Sequence, residues 1–370
     1  MTLAQLFRKF RVKDGRLASD QSIGSAVWRR FRSNPLSVAS LAVIAFFALV
    51  AVLGYLITPD HTPHCNQQYL ELATLKPGSR ATFLCIDPVE GKRQSLLTTM
   101  AKGKPLPYTA IPINDDTYKY MGDNLYAEPL AGEPITVGRE RVAKVERRTF
   151  LLGTDRYGRD VLSMIMIGAR VSLSVGFIAI FIALLIGVTL GALAAYHGGW
   201  VDNVIMWLIN VVWAIPTVLL VIAITFVLGK GFWQIFVAVG LTMWVDIARV
   251  VRGEVLSIKE KEYIEATRAL GYSTFRTIFR HILPNIAGAV VVVAASNFAS
   301  AILLEAGLSF LGIGVQPPMP SWGMMVKENY GYILLDSAYL AFLPGVAIMT
   351  IVLAFMMLAN GLRDALDVKR

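Results

Sequence analysis

VSLSVGFIAIFIALLIGVTLGALAA, residues 171–195, decides the fold: 25 residues pass without one charge. A helix of about 20 apolar residues crosses the hydrocarbon core of a bilayer. The same signal recurs on both sides. Residues 36–57 and 203–229 carry no charge, and 231–245 is apolar up to Asp246, so that helix should run on to about Arg249. Residues 285–304 are uncharged up to Glu305, and 337–362 lie uncharged between Asp336 and Arg363. Irregular backbone cannot face lipid, so each segment should be helical. The reading is an all-α integral membrane protein with six transmembrane helices. The first apolar run is longer than the core of a signal peptide and follows 35 residues, so it is read as a retained span.

Composition agrees. The 370 residues are 55% hydrophobic and 16% charged, where soluble domains carry roughly a quarter charged residues. The net charge of +9 could reflect nucleic acid or membrane anchoring, and the placement of Lys and Arg decides. Eight lie in 1–35, among them Arg8, Lys9, Arg11, Arg29, Arg30 and Arg32, and seven lie in 249–285. Arg363, Lys369 and Arg370 end the chain, while Lys230 and Lys327 stand alone in the opposite loops. By the positive-inside rule both termini are cytoplasmic, and nucleic acid is not needed to explain the charge. Trp200, Trp207, Trp233 and Trp322 fall near span ends, as interfacial anchors do.

The organisation expected is a cytoplasmic segment 1–35, a span 36–57, an outer insertion 58–150, an outer amphipathic segment 151–170, a core 171–362 and a tail 363–370. The insertion is rich in turn signals, including Pro77-Gly78, Asp87-Pro88 and Asn114-Asp115-Asp116. Alternating runs at 81–86 and 135–137 suggest strands, so a small, mostly β domain is expected. Cys65 and Cys85 both fall there, outside the reducing cytoplasm, and a disulfide is expected. Closing a loop of about 20 residues would contribute roughly 3 kcal/mol in the chain-entropy model.

The longest loop between later spans, RVVRGEVLSIKEKEYIEATRALGYSTFRTIFRHILPN at 249–285, carries the functional signal. Good helix formers run from Ile258 to Leu270, with Tyr263, Ala266, Thr267 and Leu270 on one face. Gly271 suits a left-handed helix stop, Ser273 a new cap, and Pro284 the first turn of the next span. The hairpin could seat in a groove on a partner protein or rest on lipid headgroups, and physics alone leaves both open.

Here the chain resembles a known family. Glu265-Ala266, Gly271 and Ile282-Leu283-Pro284 resemble the EAA loop of ABC-importer permease subunits, with Ala266-Thr267 where the naming pattern has two alanines. Gly153-Thr154-Asp155-Arg156-Tyr157-Gly158-Arg159-Asp160, and Glu305-Ala306-Gly307-Leu308-Ser309-Phe310 running on to Pro317-Pro318 and Pro320-Ser321-Trp322-Gly323, resemble stretches of the C-type subunit in the oligopeptide/dipeptide permease family. The likeness covers 25–57 and 150–367; the long insertion departs from it.

The resemblance implies the type I ABC importer permease fold, methionine-importer-like, in a bacterial inner membrane. It implies a homologous B-type permease partner, two cytoplasmic ABC ATPase subunits and an extracytoplasmic substrate-binding protein. Tyr263, Glu265, Ala266, Leu270 and Gly271 would couple to an ATPase. ATP and magnesium would be bound by those partners, so no cofactor is expected in this chain. Di- or oligopeptides are the implied cargo, with nickel complexes or peptide-like toxins as alternatives.

Other motifs divide between function and packing. No G-x-x-x-x-G-K-[ST], H-E-x-x-H or G-x-S-x-G occurs in the sequence. Within the spans only Asp246 and Glu305 are acidic near the ends of apolar runs; Asp246 could pair with Arg249 or Arg252. A self-contained secondary transporter would need coupling residues at mid-bilayer. Pro216, midway along the third span, should kink it and serves either as gate or as fixed architecture. Glu305, Ser309 and Phe310 are further pathway candidates, beside glycines 307–314 that suit a re-entrant turn or close packing. Asp155, Arg156, Arg159 and Asp160 could simply pair with one another.

Overall fold

The computed structural model describes residues 23–88, 95–115, 117–229 and 231–366. The early basic run, Lys230, Asp116, Lys369 and Arg370 lie outside those residues. A short helix absent from the sequence reading, α1 (Ile23–Ser33), leads into α2 (Pro35–Ile57). The two are separated by Asn34, whose side chain accepts from Leu36 N at 3.0 Å, while Pro35 starts the new helix. After the insertion come α4 (Val161–His197), α5 (Gly199–Ala214), α6 (Thr217–Leu228) and α7 (Phe232–Lys259); α3 (Leu96–Lys102) lies within the insertion. Then α8 (Glu262–Ala269), α9 (Thr274–Thr277), α10 (Leu283–Phe310), α11 (Trp322–Asn329) and α12 (Tyr339–Leu366) complete the chain. Among the described residues five helical runs are long and apolar enough to cross a membrane, and counting the bent pair α5–α6 as one span makes six.

The third span is where expectation and structure differ most. The sequence suggests one kinked helix; instead α5 and α6 meet at 94°. Proline restricts its predecessor as well as itself. Ile215 is extended (φ −91°, ψ 128°) and Pro216 follows at φ −53°, ψ 124°, so two successive residues leave the helix and the chain turns a corner. The second span also begins earlier than expected. Residues from Val161 onward, expected in a separate outer segment, form the first turns of α4, capped by Asp160 accepting from Ser163 N at 2.9 Å.

α4 is the spine of the bundle. Ala179, Ala183, Gly187, Gly191 and Ala195 repeat every fourth residue and are all buried. A Cβ on Gly187 would sit 2.7 Å from Trp244 O, and one on Gly191 2.5 Å from Ala248 O. The α4 and α7 backbones therefore almost touch. In lipid, where apolar burial between helices gains little, such close van der Waals contact is a main source of association.

In the insertion, β1 (Ser79–Ile86) pairs antiparallel with β2 (Thr109–Ile113) and with β6 (Val142–Phe150). A second sheet joins β3 (Lys119–Met121), β4 (Asn124–Ala127) and β5 (Ile135–Gly138). The alternation of β1 covers both faces. Phe83 and Cys85 pack with Tyr69, Leu72 and Phe150, whereas Leu84 and Ile86 pack with Ile113, Leu125 and Val137.

Two expectations fail on burial. Cys65 and Cys85 are free thiols, not a disulfide. Cys65 belongs to the cluster of Val161 and Met164 at the start of α4, and its Sγ donates to Asp60 O at 3.1 Å; Cys85 sits in the sheet core with Phe83. The two side chains serve different cores. Burial pushes both thiols above their ordinary pKa, which keeps them protonated and unreactive. Trp322 is not an interfacial anchor: it is fully buried, donates Nε1–H to Ile165 O at 2.9 Å and meets Phe47 edge-on. Trp200, Trp207 and Trp233 are exposed as expected.

Candidate functional site

The loop at 249–285 is a hairpin that hangs from α7 and α10. α7 runs on to Lys259, whose Nζ donates to Ala195 O at 3.0 Å and Tyr196 O at 2.7 Å. A cation thus meets carbonyls in the last turn of α4, where the helix dipole favours positive charge. The helix expected from Ile258 to Leu270 is divided: Ile258 and Lys259 close α7, and α8 starts at Glu262 after a tight turn in which Lys261 N donates to Ile258 O. Tyr272 N donates to Thr267 O at 3.0 Å across Gly271 at φ +74°, which is a Schellman stop. Ser273 then caps α9, accepting from Arg276 N at 3.3 Å, and the chain passes through a wider helical turn at 278–282 into α10.

The hairpin has two faces. Ile264 is fully buried and shares a cluster with Ile258, Ile278 and Ile282. Thr267 is buried beside it with Oγ1 donating to Ile264 O, so it belongs to the inner face and not to the outer one where the sequence reading put it. Tyr263 and Leu270 are 43% and 69% exposed, with Glu265 and Ala266 exposed between them. Phe275 and Phe279, 69% and 56% exposed, lie with ring centroids 4.2 Å apart and tilted by 31°, and line an apolar cavity against Phe181, Leu185 and Val188 of α4. Sequence reasoning missed this aromatic pair, although its i, i+4 spacing was in view. Tyr263, Glu265, Ala266 and Leu270 are therefore left uncovered by the chain itself on one side of the hairpin.

The corner at Pro216 is tied to α7 by charge. Arg252 pairs with Asp202 through two hydrogen bonds of 2.6 Å, and Arg249 bonds Asn210 at 3.1 Å and lies over the Trp213 ring at 3.9 Å. These arginines turn to α5 and not to Asp246, the pairing expected within one helix. Asp246 instead lines a cavity of about 480 Å³ beside the corner, with Trp213, Thr217, Thr242 and Ser300.

Glu305 and Ser309 sit in a closed knot. Ser309 Oγ donates to Glu305 Oε1 at 2.7 Å and Ser172 Oγ donates to Oε2 at 3.0 Å, while Val315 N donates to Ser309 Oγ at 3.1 Å. Both residues are fully buried. The knot joins α4 to α10 and to the turn that carries the chain back into α11. Phe310, at 44% exposure, and Pro216 stand at open surfaces.

The segment 153–160 is a clamp. Asp155 accepts from Tyr157 N, Arg159 N and Arg159 Nε at 2.9, 2.9 and 2.7 Å, and Arg159 Nη2 reaches Glu328 on α11 at 2.6 Å. Arg156 lies 3.9 Å from Glu328, and Asp160 caps α4 rather than joining an ion pair. Thr154 Oγ1 bonds Leu72 O and Leu75 N. Gly153 and Gly158 are left-handed, and a Cβ on either would run into the Leu75 or Tyr69 carbonyl. The clamp thus fixes the insertion's first turn to α4 and α11.

Residues 183–370 match the family of binding-protein-dependent transport system inner membrane components, and residues 22–77 match the N-terminal TM domain of oligopeptide transport permease C. The chain is 42% identical to the glutathione transport system permease protein GsiD of Pectobacterium atrosepticum over 59% of this chain and 72% of that protein. It is 43% identical to the dipeptide transport system permease protein DppC of Alkalihalophilus pseudofirmus over 59% and 71%. The inward-facing methionine ABC transporter MetNI aligns at 21% identity and a TM-score of 0.46, covering 56% of this chain and 98% of that one.

Proposed function

Because the chain belongs to the binding-protein-dependent transport system inner membrane components, we propose that it is the C-type permease subunit of an ATP-driven importer of short peptides. The exposed apolar face of the α8–α9 hairpin carries this reading. A self-contained transporter has no use for Tyr263, Ala266 and Leu270 presented together at the end of its bundle. A partner protein does. The partner is an ABC ATPase, which supplies the nucleotide and magnesium chemistry; Glu265 and Gly271 set the charge and the turn of the docking surface.

The hairpin, the end of α12 and the start of α2 share one end of the bundle: Gly288 lies under Leu366, and Gly361 under Ser37. The Lys and Arg bias assigns that end, with both termini, to the cytoplasm. The insertion and the clamp then face outside, where a substrate-binding protein delivers peptide. A homologous B-type permease covers the exposed faces of α5 and α6, and the pathway runs past the corner at Pro216. Closure of the ATPase pair, favoured by ATP, is transmitted through the hairpins because the docked ATPases bind one arrangement of the permeases better than the other.

Uptake of a labelled dipeptide by cells carrying the whole transporter tests the reading. Glu265→Lys should abolish uptake and release the ATPase on purification, while leaving membrane levels of the chain unchanged. Undiminished uptake by this variant, with the ATPase still attached, contradicts it.

A further inference from the structure

A furrow follows α4 on the side turned from α7. Phe181 and Leu185 each stand two residues before a member of the small-residue seam, Ala183 or Gly187, and so lie nearly opposite it on the helix. Both are exposed. With Phe275, Ile278, Phe279 and Leu283 they line an apolar cavity of about 550 Å³. A second cavity of about 470 Å³ shares Phe181 and Leu184 with the first and continues the furrow toward Phe298 and Phe355. Along α4 the first cavity spans Phe181 to Leu193, about 18 Å at the helical rise. The hydrocarbon of one leaflet is about 15 Å deep. The first cavity therefore has the length of a single lipid chain.

Charge sits at the hairpin end of this furrow. α4 runs toward Ala195 and Tyr196, whose carbonyls meet Lys259, so Leu193 and Thr274 mark the end of the cavity near the hairpin. Arg276 and Arg280 directly follow Phe275 and Phe279 in the chain and are exposed. Among the described residues no carboxylate pairs with either, and the Arg276 guanidinium lies 4.1 Å over the Tyr272 ring. An apolar channel between membrane helices with a basic rim complements an anionic phospholipid, whose chain fills the channel and whose phosphate accepts from the guanidinium forks. A protein docking at the hairpin would reach the rim but not the level of Phe181 inside the bundle. A lipid chain fills the whole length.

We propose that the furrow between α4 and residues 274–283 holds one chain of an anionic phospholipid from the leaflet on the hairpin's side, with the phosphate on Arg276 and Arg280. The bound lipid braces the segment that joins the hairpin to α10 against α4. The proposal rests on the place of the bundle in a membrane, not on ATPase docking at Tyr263 and Leu270.

Native mass spectrometry on the full chain in detergent, titrated with dioleoyl phosphatidylglycerol or dioleoyl phosphatidylcholine, tests it. Phosphatidylglycerol should bind about tenfold more tightly, as two basic residues at an anionic headgroup provide. Arg276→Gln with Arg280→Gln should remove that preference. Arg29→Gln with Arg30→Gln takes the same charge from exposed positions on α1 and should keep it. Leu185→Trp, at an exposed position in the furrow, should weaken both lipids. The proposal is overturned if the two lipids bind equally to the unaltered chain, if the Arg276 and Arg280 pair of changes leaves the preference intact, if the α1 pair removes it as fully, or if Leu185→Trp binds like the unaltered chain. In the assembled transporter, the Arg276 and Arg280 changes should lower the phosphatidylglycerol that co-purifies and leave the ATPase attached. Loss of the ATPase with the lipid unchanged would give the rim to a protein partner and overturn the proposal. The lipid titration contains no ATPase, so its outcomes are independent of any failure of the uptake test.

Discussion

Gly158 and Gly271 look alike in the sequence and in the backbone: each is a left-handed glycine that ends a turn, at φ +73° and +74°. Their surroundings differ completely. Gly158 is packed so tightly that a Cβ would run into the Tyr69 carbonyl, whereas nothing lies within 4 Å of a Cβ on Gly271. Around Gly158 the polar groups of Asp155 and Arg159 find partners in the chain itself, and around Gly271 large side chains are left uncovered. The first region is finished when the chain folds. On the proposed reading, the second is finished only when the ATPase docks. A glycine motif therefore tells where a turn is needed, and its neighbours tell for whom.

The comparison can be broken by substitution. Gly158→Ala should have the largest effect, at least about 4 kcal/mol, because the clash is with main chain and cannot be relieved by a rotamer. The chain should be lost from the membrane or elute as aggregate on size exclusion. Arg159→Met should cost about 3–5 kcal/mol in thermal unfolding in detergent, since it leaves Asp155 buried without its cation and Glu328 with only Arg156 at 3.9 Å. Gly271→Ala meets no neighbour and should cost only about 1–2 kcal/mol, the backbone term alone. If Gly271→Ala destabilised as much as Gly158→Ala, the two turns would not differ as described. Thiol labelling sharpens the point at the smallest scale. After denaturation without reductant both Cys65 and Cys85 should react, because burial and not a disulfide protects them in the fold; recovery of only unlabelled chain would restore the bridge.

The sequence made some of this legible and hid the rest for physical reasons. Apolar length announced the spans, and the 81–86 and 135–137 alternation announced β1 and β5, because each needs only local periodicity. The Schellman stop at Gly271 and the cap at Ser273 were equally local. Hidden were features that depend on what lies opposite. Pro216 gives a corner instead of a kink because Ile215 also leaves the helix. Thr267 turns inward because Ile264, not Tyr263, is the residue that the α7–α10 groove receives. Cys65 and Cys85 share a domain but not a core. The small-residue repeat Ala179, Ala183, Gly187, Gly191 and Ala195 was present in the sequence and marks the α4–α7 contact; an i, i+4 count of small residues would have found it.

The hairpin's role is tested most directly by Leu270→Arg in the assembled transporter. Leu270 is 69% exposed, so the substitution should change the stability of the chain by no more than about 0.5 kcal/mol. Purified through this chain, the unaltered transporter should bring its ATPase with it. Leu270→Arg should yield the same amount of chain with the same melting temperature and without ATPase. Full retention of the ATPase by a stably folded Leu270→Arg chain would contradict that role.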